Sequence, residues 1–413
     1  MRITFSYFIS CIFGIASALI FHNIAFVNSA FTNIAKLAYN LGSAIFILMI
    51  IFSLPAAVAS LKKDKIFAKA NSTNALVIFK FAITLPVVAA VLVYFLPLTF
   101  PTTSTSTLAS NSEAFVSSVL LNLKTLVFDT SNVFTLLNRP YTIALPLIVV
   151  AIAFGLAITP STDVVKPAYV VANSFSEVMY RLSKVFTMLS FIFVYFISYV
   201  ATYSLITDAT IFTRLDFLLY VLAFVAVAYF VITPLVFVVF SRGKLNPYKK
   251  RYFALSLFAL ISGSTTYTAV INMNIARNNL GIQKRISSYV TLLNSVFLKG
   301  GTAAIATIII FSLLHSYGTF PTSIMDICII LTFIIMSSFI SSAAYNTELL
   351  FTVFFALKLA NINLYGAEMA ILGIVALLNG FALMLDSQIS VLSSALVAVN
   401  TNTDIEVAKK DLI

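Results

Sequence analysis

Charge is what this sequence has least of. Only 9% of its 413 residues are Asp, Glu, Lys or Arg, and no polar stretch is long enough to fold as a separate soluble domain. Cysteine is nearly absent: Cys11 and Cys328 both sit inside apolar runs without metal-ligand spacing, which excludes a cysteine-built metal centre and reads as two buried structural thiols. Tryptophan is missing altogether, and the 39 Phe read as lipid-facing or packing residues. No nucleophile with an adjacent base, no metal-ligand cluster and no phosphate-binding loop occurs in a suitable context, so neither an enzyme nor a bound cofactor is expected. Acidic residues are scarcer than basic ones, 14 against 25, for a net charge of +11. The basic residues cluster in short segments between apolar runs, as in cytoplasmic loops, so no nucleic-acid partner is expected.

What is present is apolar. With 61% hydrophobic residues and a mean hydropathy of +1.04, the chain carries more apolar surface than one soluble core can bury. Apolar runs of about 20 residues, the length that spans a bilayer as a helix, recur from end to end. The sequence thus describes one membrane unit over 1–413, with spans expected at 5–28, 40–61, 75–98, 140–159, 185–207 and 216–240. The first is read as an uncleaved helix, because no convincing small-residue cleavage site follows its apolar core. Connections alternate: "KKDKIFAK" (62–69), the region of Lys166, Arg181 and Lys184, and "SRGKLNPYKKR" (241–251) are basic, whereas 102–113 and 205–212 carry no Lys or Arg. The positive-inside rule places the N-terminus and the basic loops in the cytoplasm, and the cytoplasmic membrane as the location.

The alternation then breaks. Segment 252–276 is long enough to cross, yet both its flanks are basic, which predicts a re-entrant hairpin entering from the cytoplasm with its tip at Ser262–Thr266. From Ile286 the chain crosses outward to about Tyr317, interrupted at "FLKGGTA", where Gly300 and Gly301 favour local unwinding. Two further apolar segments, 325–340 and 349–360, flank "SSAAYNTE"; they form either two spans or a second hairpin entering from outside. A last span at 367–397 leads to a cytoplasmic C-terminus. Hairpin then broken helix, twice over, is an inverted-repeat plan whose site lies at the midplane between interrupted helices, where Lys299 falls.

These segments resemble the dicarboxylate/amino acid:cation symporter family, the glutamate transporter homologues. "MIIFSLPAAVASL" is similar to the family's second helix, "VMYRLSKVF" to the start of its fifth, and "SGSTTYTAVINMNIA" to its serine-rich first hairpin. "YVTLLNSVFLKGGTAAIA" is similar to the seventh helix with its N-M-D-G-T signature, and "ILGIVALLNGFALMLDSQIS" to the eighth. The resemblance implies an all-α polytopic membrane protein of eight transmembrane helices plus two re-entrant hairpins, assembled as a homotrimer in the lipid bilayer. It also implies a scaffold part (1–74 and 115–215) and a transport part (75–99 and 216–400) that carries solute across by alternating access.

Laid over the signature, the chain departs where the chemistry is. Gly301 and Thr302 keep the glycine and threonine, but Leu298 replaces the asparagine, Lys299 the methionine, and Gly300 an aspartate that helps hold sodium. In the eighth helix, Asn379 stands at an aspartate that takes the substrate's amino group and Ala382 at the arginine that pairs with acidic side chains. Asp386 stands at an asparagine, and Ser390 at a second sodium-binding aspartate. Ser264, Thr265 and Thr266 preserve the hydroxyl-rich first tip, while the second tip lacks the family's glycines and proline. The resemblance therefore implies substrate contacts at Ser264, Thr265, Thr266, Thr302, Asn379 and Asp386, and an ion or tethered-cation site at Lys299, Gly300, Ser390 and Glu348.

Losing the arginine removes a bidentate carboxylate contact, so a neutral amino acid or related small polar solute is expected rather than a dicarboxylate. Losing two carboxylates weakens any sodium cage, leaving coupling to sodium doubtful, with protons or no ion as alternatives. A lysine at the bilayer centre costs roughly 2.5–3.5 kcal/mol. Lys299 either snorkels toward a helix end or acts as a tethered cation paired with Asp386 or Glu348. Asp386, Asn379 and Ser390 have a plainer reading as interhelical polar packing, and Glu348 as a residue of a wet outer tip. The function expected is secondary active transport; the alternative is a transporter-derived sensor, scaffold or passive pore that no longer carries solute.

Overall fold

A backbone that crosses lipid must satisfy its own hydrogen bonds, and every regular element among the described residues of the computed structural model is a helix. The structure describes residues 2–99, 117, 121, 144–158, 163–207, 214–247, 252–321, 323–341, 347–362, 371 and 374–403. The polar loop 102–113, the middle of the expected second tip (342–346) and the basic C-terminal tail lie outside them. Among the described residues, six continuous or near-continuous helical segments are long and apolar enough to span a bilayer, so the protein is a multi-pass membrane protein.

Helix α1 (Arg2–Phe21) turns into α2 (Ala25–Lys63), followed by α3 (Phe67–Phe95), α4 (Ala144–Ala157) and α5 (Lys166–Thr207). The expected first span to residue 28 is too long: the chain turns at His22–Ile24, where Asn28 Nδ2 donates to the His22 carbonyl at 2.7 Å. From there α2 runs 39 residues without a break, through the expected loop at 29–39. At 1.5 Å per residue that is about 58 Å, nearly twice a hydrocarbon core. The long helices α2 and α5 pack against each other, with α1 lying on α5 and α4 on α2.

Next come α6 (Leu215–Val227), a π-turn (Ala228–Ile232) and α7 (Thr233–Phe240), one segment in three registers. The widening sits ahead of Pro234, which has no amide to donate, and Gln388 Nε2 occupies the Tyr229 carbonyl at 2.8 Å.

Helices α8 (Phe253–Ser262) and α9 (Thr265–Asn278) are joined by a sharp reversal. Gly263 adopts φ +55°, the left-handed conformation that closes a helix, and the Phe258 and Tyr267 rings come within 4.8 Å of each other across the turn. Two carbonyls freed at the end of α8 have outside donors: Tyr39 Oη binds that of Ser262 at 2.7 Å and Asn379 Nδ2 that of Gly263 at 2.8 Å. With 10 and 14 residues, the two arms are about 15 and 21 Å long, each too short to cross alone.

Helices α10 (Lys284–Phe297) and α11 (Gly300–Ser316) are separated only by Leu298 and Lys299; then follow α12 (Ile324–Ile340), α13 (Glu348–Leu359) and α14 (Val375–Asn400). The interruption falls before the glycines, not on them. Gly300 and Gly301 are the first helical residues of α11, and their role is close approach: a Cβ on Gly301 would lie 2.5 Å from the Ala382 carbonyl oxygen of α14. The cysteines also differ from expectation, Cys11 being half-buried and Cys328 exposed, because α12 turns that face away from its neighbours.

Three of the basic segments gather at one end of the molecule. Lys284 donates to Glu177 of α5 at 3.0 Å, with Arg181 and Arg277 at 3.7 and 3.9 Å from the same carboxylate. Arg285 pairs with Asp64 at the end of α2, and the Arg277 guanidinium stacks 3.6 Å from the centre of the Tyr180 ring.

Candidate functional site

The interruption between α10 and α11 leaves the first amides of α11 without intrahelical partners. Lys299 occupies the N-cap position but gives no capping bond. Asp386 of α14 supplies it from outside: one carboxylate oxygen accepts from Gly301 N at 2.6 Å, the other from Thr302 N at 3.2 Å and Thr302 Oγ1 at 2.8 Å. These are the amides that an N-cap side chain normally takes, and the positive end of the helix dipole favours the anion there. Gly301 is what lets the carboxylate come so close.

Lys299 itself is 1% exposed, and its ammonium lies 2.8 Å from Glu348 Oε2 at the first turn of α13. The approach is off the hydrogen-bonding direction, so the contact is a close ion pair without an aligned hydrogen bond. The same Glu348 oxygen accepts from Thr265 Oγ1 at 2.8 Å, at the start of α9. One carboxylate therefore joins the starts of three helices: α9 through Thr265, α11 through Lys299 and α13 through its own position.

Below the ammonium is a cavity of about 20 Å³ lined by Thr265, Thr268, Asn272, Asn294, Ser295, Leu298, Lys299, Leu383, Asp386, Ser387 and Ser390. That volume admits one water-sized body. Both polar atoms of the Asn294 side chain, Asn272 Oδ1 and Ser390 Oγ are buried there with no protein partner. A second cation placed about 4 Å from the Lys299 ammonium would be repelled by roughly 4 kcal/mol at an effective dielectric constant near 20.

Broken helices, buried charges and a polar cavity in an all-helical membrane protein are the marks of a solute carrier. Over residues 2–403 the chain matches the sodium:dicarboxylate symporter family. The chain belongs to that family. No curated protein matches the chain significantly. Members of the sodium:dicarboxylate symporter family are membrane transporters, not enzymes, which agrees with the absence of catalytic motifs from the sequence.

Within this symporter the predicted residues divide into two groups. Thr265, Lys299, Thr302, Glu348, Asp386 and Ser390 are linked by direct contact or share the small cavity. Of the two partners open to Lys299, Glu348 is the one in contact, and it is 3% exposed rather than at a wet tip. Asn379, by contrast, lines a larger cavity of about 460 Å³ with Tyr39, Ser198, Thr202, Ser262 and Gly263, between the α8–α9 reversal and helices α1, α2 and α5. Ser264 is buried at the reversal, where its carbonyl accepts from Thr268 Oγ1 at 2.6 Å, and Thr266 Oγ1 turns toward Ser43 of α2 at 3.3 Å. Gly300 faces α3: a Cβ there would lie 2.9 Å from the Phe81 carbonyl oxygen.

Sequence reasoning passed over Thr268, Asn272, Asn294, Ser295 and Ser387. A signal for some of them exists. Thr265, Thr268 and Asn272 follow at i, i+3 and i+7, as do Leu383, Asp386 and Ser390, which places each set on one face of its helix.

Proposed function

We propose that this member of the symporter family is a secondary active transporter of a small polar solute, a neutral amino acid or a molecule of that kind rather than a dicarboxylate, in the cytoplasmic membrane. The observation that carries the reading is the charge count at the site. Two buried carboxylates, Glu348 and Asp386, face one buried ammonium, Lys299, and Ala382 is apolar where the resemblance implies an arginine. A solute bearing two negative charges would meet no uncompensated cation there, and no charged side chain lines the larger cavity of about 460 Å³ beside Asn379. A neutral or zwitterionic solute adds no net charge to a low-dielectric interior.

The architecture in this reading is eight spans and two re-entrant hairpins, with both termini cytoplasmic and three copies forming the working unit. The fold-back of α8 on α9, with arms shorter than a bilayer, supports the first hairpin; the short α12 and α13 support the second. Residues 75–99 and 216–400 move as the transport part against 1–74 and 115–215, exposing the site to either side in turn. The cavity of about 460 Å³ has the volume for an amino-acid-sized solute, with Asn379 and Ser262 to orient it.

The test is uptake by purified protein in proteoliposomes, with labelled alanine, serine, aspartate and glutamate each offered in turn. Saturable uptake of the neutral compounds, competed weakly by the acidic ones, is the expected result. Preferential uptake of aspartate or glutamate overturns the substrate reading; non-saturating flux indicates a passive pore, and binding without uptake a sensor.

A further inference from the structure

We propose that the Lys299 ammonium is a built-in replacement for an alkali cation, and that sodium does not bind beside it. The inference rests on the transporter reading only for its consequence, sodium-independent uptake; the statement about ion binding stands on the geometry.

Three observations converge. The ammonium is at the interruption of the α10–α11 segment, 1% exposed, with a carboxylate at 2.8 Å that also holds Thr265 of α9. The ammonium and this carboxylate together thus link three helix starts, with the positive charge supplied from a fixed covalent position. Asp386, the other anion, accepts at both oxygens from the amides of Gly301 and Thr302 and the Thr302 hydroxyl and lies within the field of the Lys299 ammonium, so charges and donors built into the protein already hold it. Finally, the polar atoms left without a hydrogen-bond partner around the small cavity are mixed in kind. Lys299 Nζ and Asn294 Nδ2 are donors, which a cation cannot use, and they stand beside the acceptors Asn272 Oδ1 and Asn294 Oδ1 and the hydroxyl of Ser390. Hard cations require a shell of oxygens alone. A mixed set of donors and acceptors matches a single water molecule, which can give and take.

Removing the ammonium should create the missing ion site. Lys299→Met leaves two buried carboxylates and the amide and hydroxyl oxygens of Asn272, Asn294 and Ser390 around a space the lysine chain no longer fills. The experiment is thermal unfolding of the purified full-length protein in NaCl, KCl and choline chloride at equal ionic strength, for wild type, Lys299→Met and Lys299→Arg. Because only a bound ion raises the midpoint by mass action, the wild type and Lys299→Arg are expected to unfold at the same temperature in all three salts. Lys299→Met is expected to show a saturable rise in sodium.

A saturable sodium-specific rise in the wild type overturns the proposal, as does a folded Lys299→Met that ignores sodium. If Lys299→Met does not fold, the other two proteins still decide. This readout is independent of transport: failure of uptake in proteoliposomes strikes the functional reading, whereas sodium stabilisation strikes only this one.

Discussion

The spanning segments buried most deeply in this protein are not its most apolar. In α3 and in the α6–α7 segment the most apolar stretch has a mean hydropathy of 2.6 and is only 44% buried. In α10–α11 and α14 the corresponding values are 1.9 and 1.6, with 94% and 89% buried. Lipid accepts only hydrocarbon, so a helix that faces it must be uniformly apolar. A helix surrounded by protein can carry Asn294, Lys299, Asp386 and Ser390, because its neighbours present complementary groups. Among these four segments the inversion separates helices that hold the molecule in the bilayer from helices that carry its chemistry; α5, at 1.9 and 39% buried, and α2, at 2.5 and 67%, do not follow it.

The sharpest way to break this comparison is to remove one charge from the interior. Glu348→Ala leaves Lys299 buried and unpaired, and is expected to destabilise the protein by roughly 3–5 kcal/mol, seen as a large fall in unfolding midpoint or loss of monodisperse protein. Glu348→Ala combined with Lys299→Met should recover much of that loss. Gly301→Ala is next: its Cβ would meet the Ala382 carbonyl oxygen at 2.5 Å and Leu385 Cβ at 2.7 Å, an overpacking of about 1–3 kcal/mol by the same assay. Asp386→Asn keeps the shape of the cap on α11 but loses its charge, and a cost of about 0.5–2 kcal/mol is expected from the value of such caps. Leu219→Ala, on the outer face of α6 and 61% exposed, is the control and should change stability by no more than about 0.5 kcal/mol. If Leu219→Ala cost as much as Gly301→Ala, the division into lipid-facing and site-bearing helices would fail.

Much of the fold could be read directly. The segments expected at 325–340 and 349–360 appear as α12 and α13 within a residue, since hydropathy is a local property of consecutive residues. The interruption between α8 and α9 falls within the expected Ser262–Thr266, where a cluster of small polar residues breaks the apolar run. The α1–α2 turn was misplaced because its polar break is only His22 and Asn23, with apolar residues on both sides, and the turn is fixed by Asn28, which donates to the His22 carbonyl. The glycines of "FLKGGTA" signalled an interruption, but one chain cannot reveal that they make room for Phe81 and Ala382, which come from other helices.

The site was legible in kind rather than in arrangement. A lysine in the middle of an apolar run marks a place of interest in any membrane sequence, and its possible partners were limited to Asp386 and Glu348. That Glu348 and not Asp386 makes the contact follows from α13 being packed with its first turn against the α10–α11 interruption while Asp386 is held by the amides of α11. Likewise Thr265 and Thr266 are adjacent in sequence, yet one meets Glu348 and the other Ser43, because successive residues on a helix point about 100° apart.

By itself, then, the sequence determined that this chain lives in a membrane, where most of its spans lie and which family it belongs to, all consequences of local composition and of motif order. The tertiary structure alone decided which charge neutralises Lys299, that Asn379 faces a different cavity from Asp386, and that Asp386 caps a helix it is not part of. Those outcomes depend on the distances between segments far apart in the chain, and hydropathy, which adds residue by residue along the chain, holds no information about them.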